Sequence, residues 1–390
     1  MFILVLVVVT AIAFDFTNGF HDTANAVATS IATGALKPRV AVAMAAVLNL
    51  VGAFISIKVA ATIAKGIVDP TSLEHGSGLS LVFAALIGAI MWNLITWYFT
   101  LPSSSSHALI GGVIGATIAS EGSSHVAWHG VLSSVVAPGV LSPIIAFGVA
   151  AIGVFFVYRL IRILGERAAR RGYRYGQIGS AALVSLAHGT NDAQKTMGVI
   201  TLALIAHGTI NPNHFYVPLW VKIACACAIA AGTFIGGWRI INTMGNRITE
   251  IESPQGFGAE AAGAAVILSS SYYGYPLSTT HVVSGGVMGA GAGKRLESVH
   301  WGVFGQMLVA WVLTIPLAGA LGAATWEVAH LFGANSSSGT VVMAIIAIIA
   351  AAALFTLAQR NKISAHDLDR TNVPPEREAQ IGAPSVAGAT

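Results

Sequence analysis

Charge is what this sequence has least of. Only 9% of its 390 residues are Asp, Glu, Lys or Arg and 55% are hydrophobic, where soluble domains carry roughly 25% charge. So few charges cannot cover a water-facing surface, which excludes an ordinary soluble fold. Cysteine is almost missing as well. Cys225 and Cys227 lie two residues apart in an apolar run, so on a helix they point apart, and neither a disulfide framework nor a metal site is expected. The net charge of +4 comes largely from loop arginines, which in a membrane protein report orientation; no nucleic-acid partner is expected. Enzyme signatures are absent too. Gly289 to Arg295 imitates a P-loop only superficially, because Met288 stands at the first glycine position and Arg295 at the Ser/Thr position. Gly256-Phe257-Gly258 has no preceding strand, and there is no zinc-ligand spacing or nucleophile elbow, so neither catalysis nor a bound cofactor is expected.

Long apolar runs are what the chain has in abundance. They recur at 38–63, 79–100, 131–158, 217–237, 301–325 and 339–358, each long enough for a hydrocarbon core that takes about 17–25 helical residues. An all-α polytopic membrane protein is implied. No Lys or Arg precedes Ala11-Ile12-Ala13, so a cleaved leader is not expected. Six arginines (159, 162, 167, 170, 171 and 174) face one Glu166 in the connection at 159–176, which marks it as a cytoplasmic linker. Lys37 and Arg39, Arg239 and Arg247, and Lys294 and Arg295 fall in short connections, whereas 121–130 and 207–216 hold no Lys or Arg. Counting crossings from the linker places the N-terminus outside and the tail at 359–390 inside, and that tail reads as disordered.

An internal repeat organises the rest. Gly19-Phe20-His21-Asp22 aligns with Gly189-Thr190-Asn191-Asp192 at an offset of 170 residues. Pro102 to His107, leading into Gly111-Gly112, aligns with Pro276 to His281, leading into Gly285-Gly286, at an offset of 174. The placement of positive connections makes the copies enter the membrane from opposite sides. Two inverted-topology repeats follow, at 1–158 and 177–358, an arrangement typical of secondary transporters.

Polar groups inside these apolar segments are the candidate site. Asp22 and Asp192 occupy equivalent positions, and a charge near a bilayer centre costs on the order of 2.5–3.5 kcal/mol. A continuous helix over residues 1–36 would be about 54 Å long, so breaks are expected near Gly19 and Gly189, exposing backbone groups that attract ions. Ser103 to Ser106 and Ser278 to Thr280 follow prolines and precede Gly-rich stretches. Each run can cap a helix and ring a tetrahedral oxyanion at the tip of a re-entrant helical hairpin. His107 and His281 have three readings: proton carriers, donors to an anion, or buried structural histidines.

Taken with Trp92-Asn93-Leu94-Ile95-Thr96-Trp97-Tyr98, these motifs resemble the paired signatures of the PiT family of inorganic phosphate transporters, above all its bacterial low-affinity permeases, over roughly residues 1–358. The resemblance implies a homodimeric symporter in the cell membrane that moves inorganic phosphate by alternating access, with H⁺ or Na⁺ as the coupling cation. Some members carry a neutral divalent metal–phosphate complex, and one branch carries sulfate. Carried onto this sequence, Ser104, Ser105, Ser106, Ser278, Thr279, Thr280, Asn25, Asn191, Asp22 and Asp192 are the expected substrate-binding residues. Asp22, Asp192, Asn18, His21, His107 and His281 are the expected coupling-ion residues. His21 stands where many members have Asn, and Gln194-Lys195 where the first repeat has Ala24-Asn25, which weighs against Na⁺. A permease for sulfate or another tetrahedral oxyanion is the nearest alternative. An anion channel would have no need of the two aspartates.

Overall fold

The computed structural model describes residues 1–67, 78–164, 166–211, 213–333, 337–369 and 371. Its first half holds α1 (Phe2–Ala32), α2 (Pro38–Gly52), α3 (Lys58–Gly66), α4 (Gly78–Tyr98), α5 (Ser105–Glu121), α6 (Trp128–Val131) and α7 (Ala137–Leu164). The second half holds α8 (Glu166–Ala206), α9 (Leu219–Ile235), α10 (Trp238–Asn246), α11 (Ser253–Tyr273), α12 (Thr279–Lys294), α13 (Trp301–His330) and α14 (Ser337–Ala358). Among the described residues there is no strand, only a bridge between Thr249 and Val299. Among the described residues five helical stretches are long and apolar enough to cross a membrane, six if α9 and α10, bent by 69°, count as one span. The expected all-α polytopic membrane architecture is therefore what the chain adopts.

Local signals explain the helix ends. Pro38 opens α2 at a position where its missing N–H costs nothing. Glu252 and Gln255 form a reciprocal capping box at the start of α11. Ser104 and Ser278 cap α5 and α12, accepting from the backbone N–H of His107 and His281. Equivalent left-handed residues follow α4 and α11: Thr100 at φ 59° and Gly274 at φ 84°.

Polarity runs from inside to outside. Val309 and Val312 on α13 and Ile348 and Ile349 on α14 are more than half exposed, whereas Asp22, Asp192 and Lys195 are buried. Apolar side chains meet the lipid, and the polar ones are enclosed by protein.

Gly19 and Gly189 do not break their helices; α1 and α8 run straight through them. Both glycines instead allow another helix to come close. A Cβ on Gly19 would lie 2.3 Å from the Ile229 carbonyl oxygen of α9, and one on Gly189 would lie 2.2 Å from that of Asn49 in α2. Length alone forces no break, because a helix longer than the hydrocarbon core can tilt or project beyond it. The interruptions fall elsewhere, between α2 and α3 and between α9 and α10.

Residues 159–164 continue α7 and 166–176 open α8, so these parts of the linker are helical. Residues 359–369, expected to be disordered, form two 3₁₀ turns that bury Leu368; the expectation for 372–390 lies outside the described residues.

Packing interlocks the halves. Gly111 and Gly115 of α5 would each place a Cβ within 2.5 Å of a carbonyl oxygen on α13, while Gly285 and Gly289 of α12 would do the same on α7. Each half thus lends its Gly-rich helix to the long final helix of the other. Between them α1 and α8 run antiparallel. Thr33 bonds Gln177 at 2.9 Å at one end, and Asp15 lies beside Thr196 at the other.

Candidate functional site

The antiparallel pair brings Asp22 and Asp192 together, and the tips of α5 and α12 close over them. His21 Nδ1 lies 2.6 Å from Asp22 Oδ1, and its Nε2 lies 3.2 Å from Thr96 Oγ1. Ser105, in the first turn of α5, donates to Asp22 Oδ1 at 3.1 Å. Thr279, in the first turn of α12, donates to Asp192 Oδ2 at 3.3 Å. Asn25 donates to both Thr279 Oγ1 at 3.1 Å and Thr280 Oγ1 at 3.0 Å.

Lys195 completes the enclosure. Its Nζ donates to Asp192 Oδ1 at 2.5 Å, Ser106 Oγ at 2.5 Å and the Leu277 carbonyl at 2.7 Å. Ser106 donates in turn to the Leu277 carbonyl at 3.1 Å, which ties the two hairpin tips together. The repeat explains this position. At the offset of 170 Lys195 is the counterpart of Asn25, and at the offset of 174 Ser106 is the counterpart of Thr280. One amide-to-hydroxyl contact is thus repeated with an ammonium as donor. The substitution places an ammonium against Asp192, compensating part of the cost of burying that carboxylate.

Expected site residues separate into three groups. Asp22, Asp192, His21, Asn25, Ser105, Ser106, Thr279 and Thr280 come together. Ser104 and Ser278 are buried at the same tips, but their oxygens serve as helix caps. The remaining four point elsewhere. Asn191 donates to Ser271 Oγ at 2.9 Å and the Tyr275 carbonyl at 3.3 Å. Asn18 lies beside Asp15. His107 and His281 pack edge to face at 4.8 Å between ring centroids, with His281 stacked 4.0 Å from Trp311. Both histidines line an apolar cavity of about 540 Å³ with Pro143 and Phe147. Among the described residues neither makes a hydrogen bond to Asp22 or Asp192, and His107 lies near enough to Lys195 to feel its charge.

Two members were missing from the sequence-based set, Lys195 and His188. His188 Nε2 lies 3.2 Å from Asp192 Oδ2, and its Nδ1 lies 3.1 Å from Asn49 Oδ1. Asp22, His188 and Asp192 offer ligand atoms within 4.8 Å of one another, a set able to hold a metal ion. The signal was present in the i, i+4 spacing of His188 and Asp192 on one helix face.

Hydroxyls, an amide, imidazoles and one ammonium thus surround two carboxylates in the interior of an apolar bundle. A bundle of long apolar helices around a buried polar interior is the architecture of a membrane transport protein. Residues 18–322 match the phosphate transporter family, and the chain belongs to that family.

Several relatives are alike over the full length. The chain is 54% identical over 389 residues to proteins of Mycobacterium bovis and Mycobacterium tuberculosis, each described as a probable low-affinity inorganic phosphate transporter; the match covers 100% of this chain and 91% of theirs. A Bacillus subtilis protein of the same description is 46% identical over 331 residues, covering 84% of this chain and 97% of that one. Among solved structures, one described as the sodium-dependent phosphate transporter superposes with a TM-score of 0.74 at 26% identity, over 85% of this chain and 100% of that chain.

Proposed function

We propose that this protein is a symporter that moves inorganic phosphate across the cell membrane by alternating access between two inverted repeats, coupled to H⁺ or Na⁺. The observation that carries the reading is the convergence of Ser105, Ser106, Thr279, Thr280, Asn25 and Lys195 on two buried carboxylates. Relatives described as low-affinity inorganic phosphate transporters support the substrate. Antiparallel α1 and α8, and the reciprocal packing of α5 on α13 and α12 on α7, support the inverted relation of the halves.

Phosphate near neutral pH is a mixture of mono- and dianion, and it brings its own O–H. Hydroxyls and Lys195 donate to its bare oxygens, while Asp22 or Asp192 accepts from its hydroxyl. Sulfate has no hydrogen to donate and leaves those carboxylates facing an anion unrelieved, which is why phosphate is favoured over sulfate. A divalent cation travelling with the phosphate would take Asp22, His188 and Asp192 as ligands, as cargo and not as a resident metal. Assembly as a homodimer with the N-terminus outside belongs to the same reading. The test is counterflow of labelled phosphate in proteoliposomes, with sulfate as competitor and with imposed Na⁺ or pH gradients. Phosphate exchange that sulfate does not inhibit is the expected result, and absence of exchange would overturn it.

A further inference from the structure

Three aspartates are buried in α1 and α8, and only two have a compensating partner. Asp22 is paired with His21, and Asp192 with Lys195 and His188. Asp15 is fully enclosed, at 0% exposure, and takes part in no ion pair among the described residues. Both of its carboxylate oxygens lack a hydrogen-bond partner, and so do Asn18 Oδ1 and Thr196 Oγ1. Asn18, Thr196 and Cys225 are the side chains beside it. Glu260 on α11 provides the contrast. It is buried to the same degree, but Ser180 donates to it at 2.6 Å and Thr29 donates to its other oxygen.

A carboxylate left bare in such a place costs several kcal/mol or more, so a proton or a cation must neutralise it. Hard cations gather about six oxygen ligands. Here α1 and α8 are unbroken helices whose carbonyls bond within the helix, and Cys225 offers sulfur where oxygen is needed. One amide, one hydroxyl and the carboxylate make too small a shell. A proton needs only one acceptor. The Asp15 O–H can donate to Asn18 Oδ1 while the Thr196 hydroxyl donates to the second Asp15 oxygen, and all four unpartnered atoms are then paired. The titratable groups facing Asp15 are Asp192 from α8 and Cys225 from α9. Neither brings a positive charge.

We propose that Asp15 is the proton-carrying group of this transporter, protonated from one side of the membrane in the loaded carrier and deprotonated to the other side after phosphate leaves. This inference rests on the symport reading and names the group that does the coupling. Asp15 lies two helical turns, about 10 Å, from Asp22, so the proton occupies a different site from the anion. Thr196 is the next residue after Lys195, so a shift of Lys195 toward an incoming anion moves the turn of α8 that faces Asp15.

The experiment uses the full chain in proteoliposomes and compares wild type, Asp15→Asn, Asp15→Glu and Glu260→Gln. Labelled-phosphate exchange at equal pH is measured beside uptake driven by an inward proton gradient. Because an amide imitates the protonated carboxyl but cannot release a proton, Asp15→Asn should keep exchange and lose gradient-driven accumulation. Asp15→Glu should restore accumulation, and Glu260→Gln should keep both. Infrared spectra of the same vesicles should show a protonated-carboxyl band that disappears in Asp15→Asn. Accumulation by Asp15→Asn at the wild-type level would overturn the proposal, as would wild-type accumulation that follows sodium and ignores pH, or absence of an Asp15 band. Wild type with no phosphate exchange would overturn the transport reading instead, and the infrared band would still report on Asp15.

Discussion

At the residue scale, the site is held by one full charge pair whose members cannot be removed singly. Asp192 and Lys195 are both buried and lie 2.5 Å apart, and deleting one partner leaves the other unpaired in a dry interior, at a cost of about 3–5 kcal/mol. Asp192→Asn and Lys195→Met are each expected to lower the melting temperature in detergent. The double variant should recover much of that loss while still failing to accumulate phosphate. Melting curves of the four proteins and uptake in vesicles check both halves of the statement. Asp22→Asn should also abolish accumulation, with less effect on melting, because its partners are a histidine and a hydroxyl. Most of this site was legible in the sequence, because charged and hydroxyl residues stand out against apolar surroundings and recur at a fixed offset. Asp15 did not stand out, since its counterpart at that offset is Ser185 and symmetry passes over it. His107 and His281 do recur in register, and they share an apolar cavity wall.

Glycine decides how closely the helices approach at the scale of the element. Read from sequence, Gly19 and Gly189 marked breaks, because length suggested an interruption. What sequence could not supply was the neighbour: the Ile229 carbonyl for one, that of Asn49 for the other. Gly19→Ala should therefore destabilise by roughly 1–3 kcal/mol, since backbone and not a flexible side chain stands in the way. Gly148→Ala on α7 meets nothing within 4 Å and should change stability by less than about 0.5 kcal/mol. Thermal unfolding of the two variants in one detergent separates close approach from general intolerance of alanine; equal losses would mean that the contact on α9 is not what matters.

For the whole molecule, arginine distribution gave an orientation that labelling can check. On a background lacking Cys225 and Cys227, a cysteine at exposed Ser123 should react with an impermeant thiol reagent added to intact cells, and one at exposed Gly172 should react only after the cells are opened. The reverse pattern would turn the molecule over. The sequence also described two repeats, and the packing crosses between them, since α5 seats on α13 and α12 on α7. This exchange has a cost in time during synthesis. Gly111 meets Ile315, a partner made about 200 residues later, which at roughly 5–20 residues per second is a wait of about 10–40 s. Through that interval the first half sits in the membrane with Asp22 and the serines of α5 not yet enclosed. A nascent chain stalled before α13 should therefore be the form that membrane chaperones hold and proteases remove.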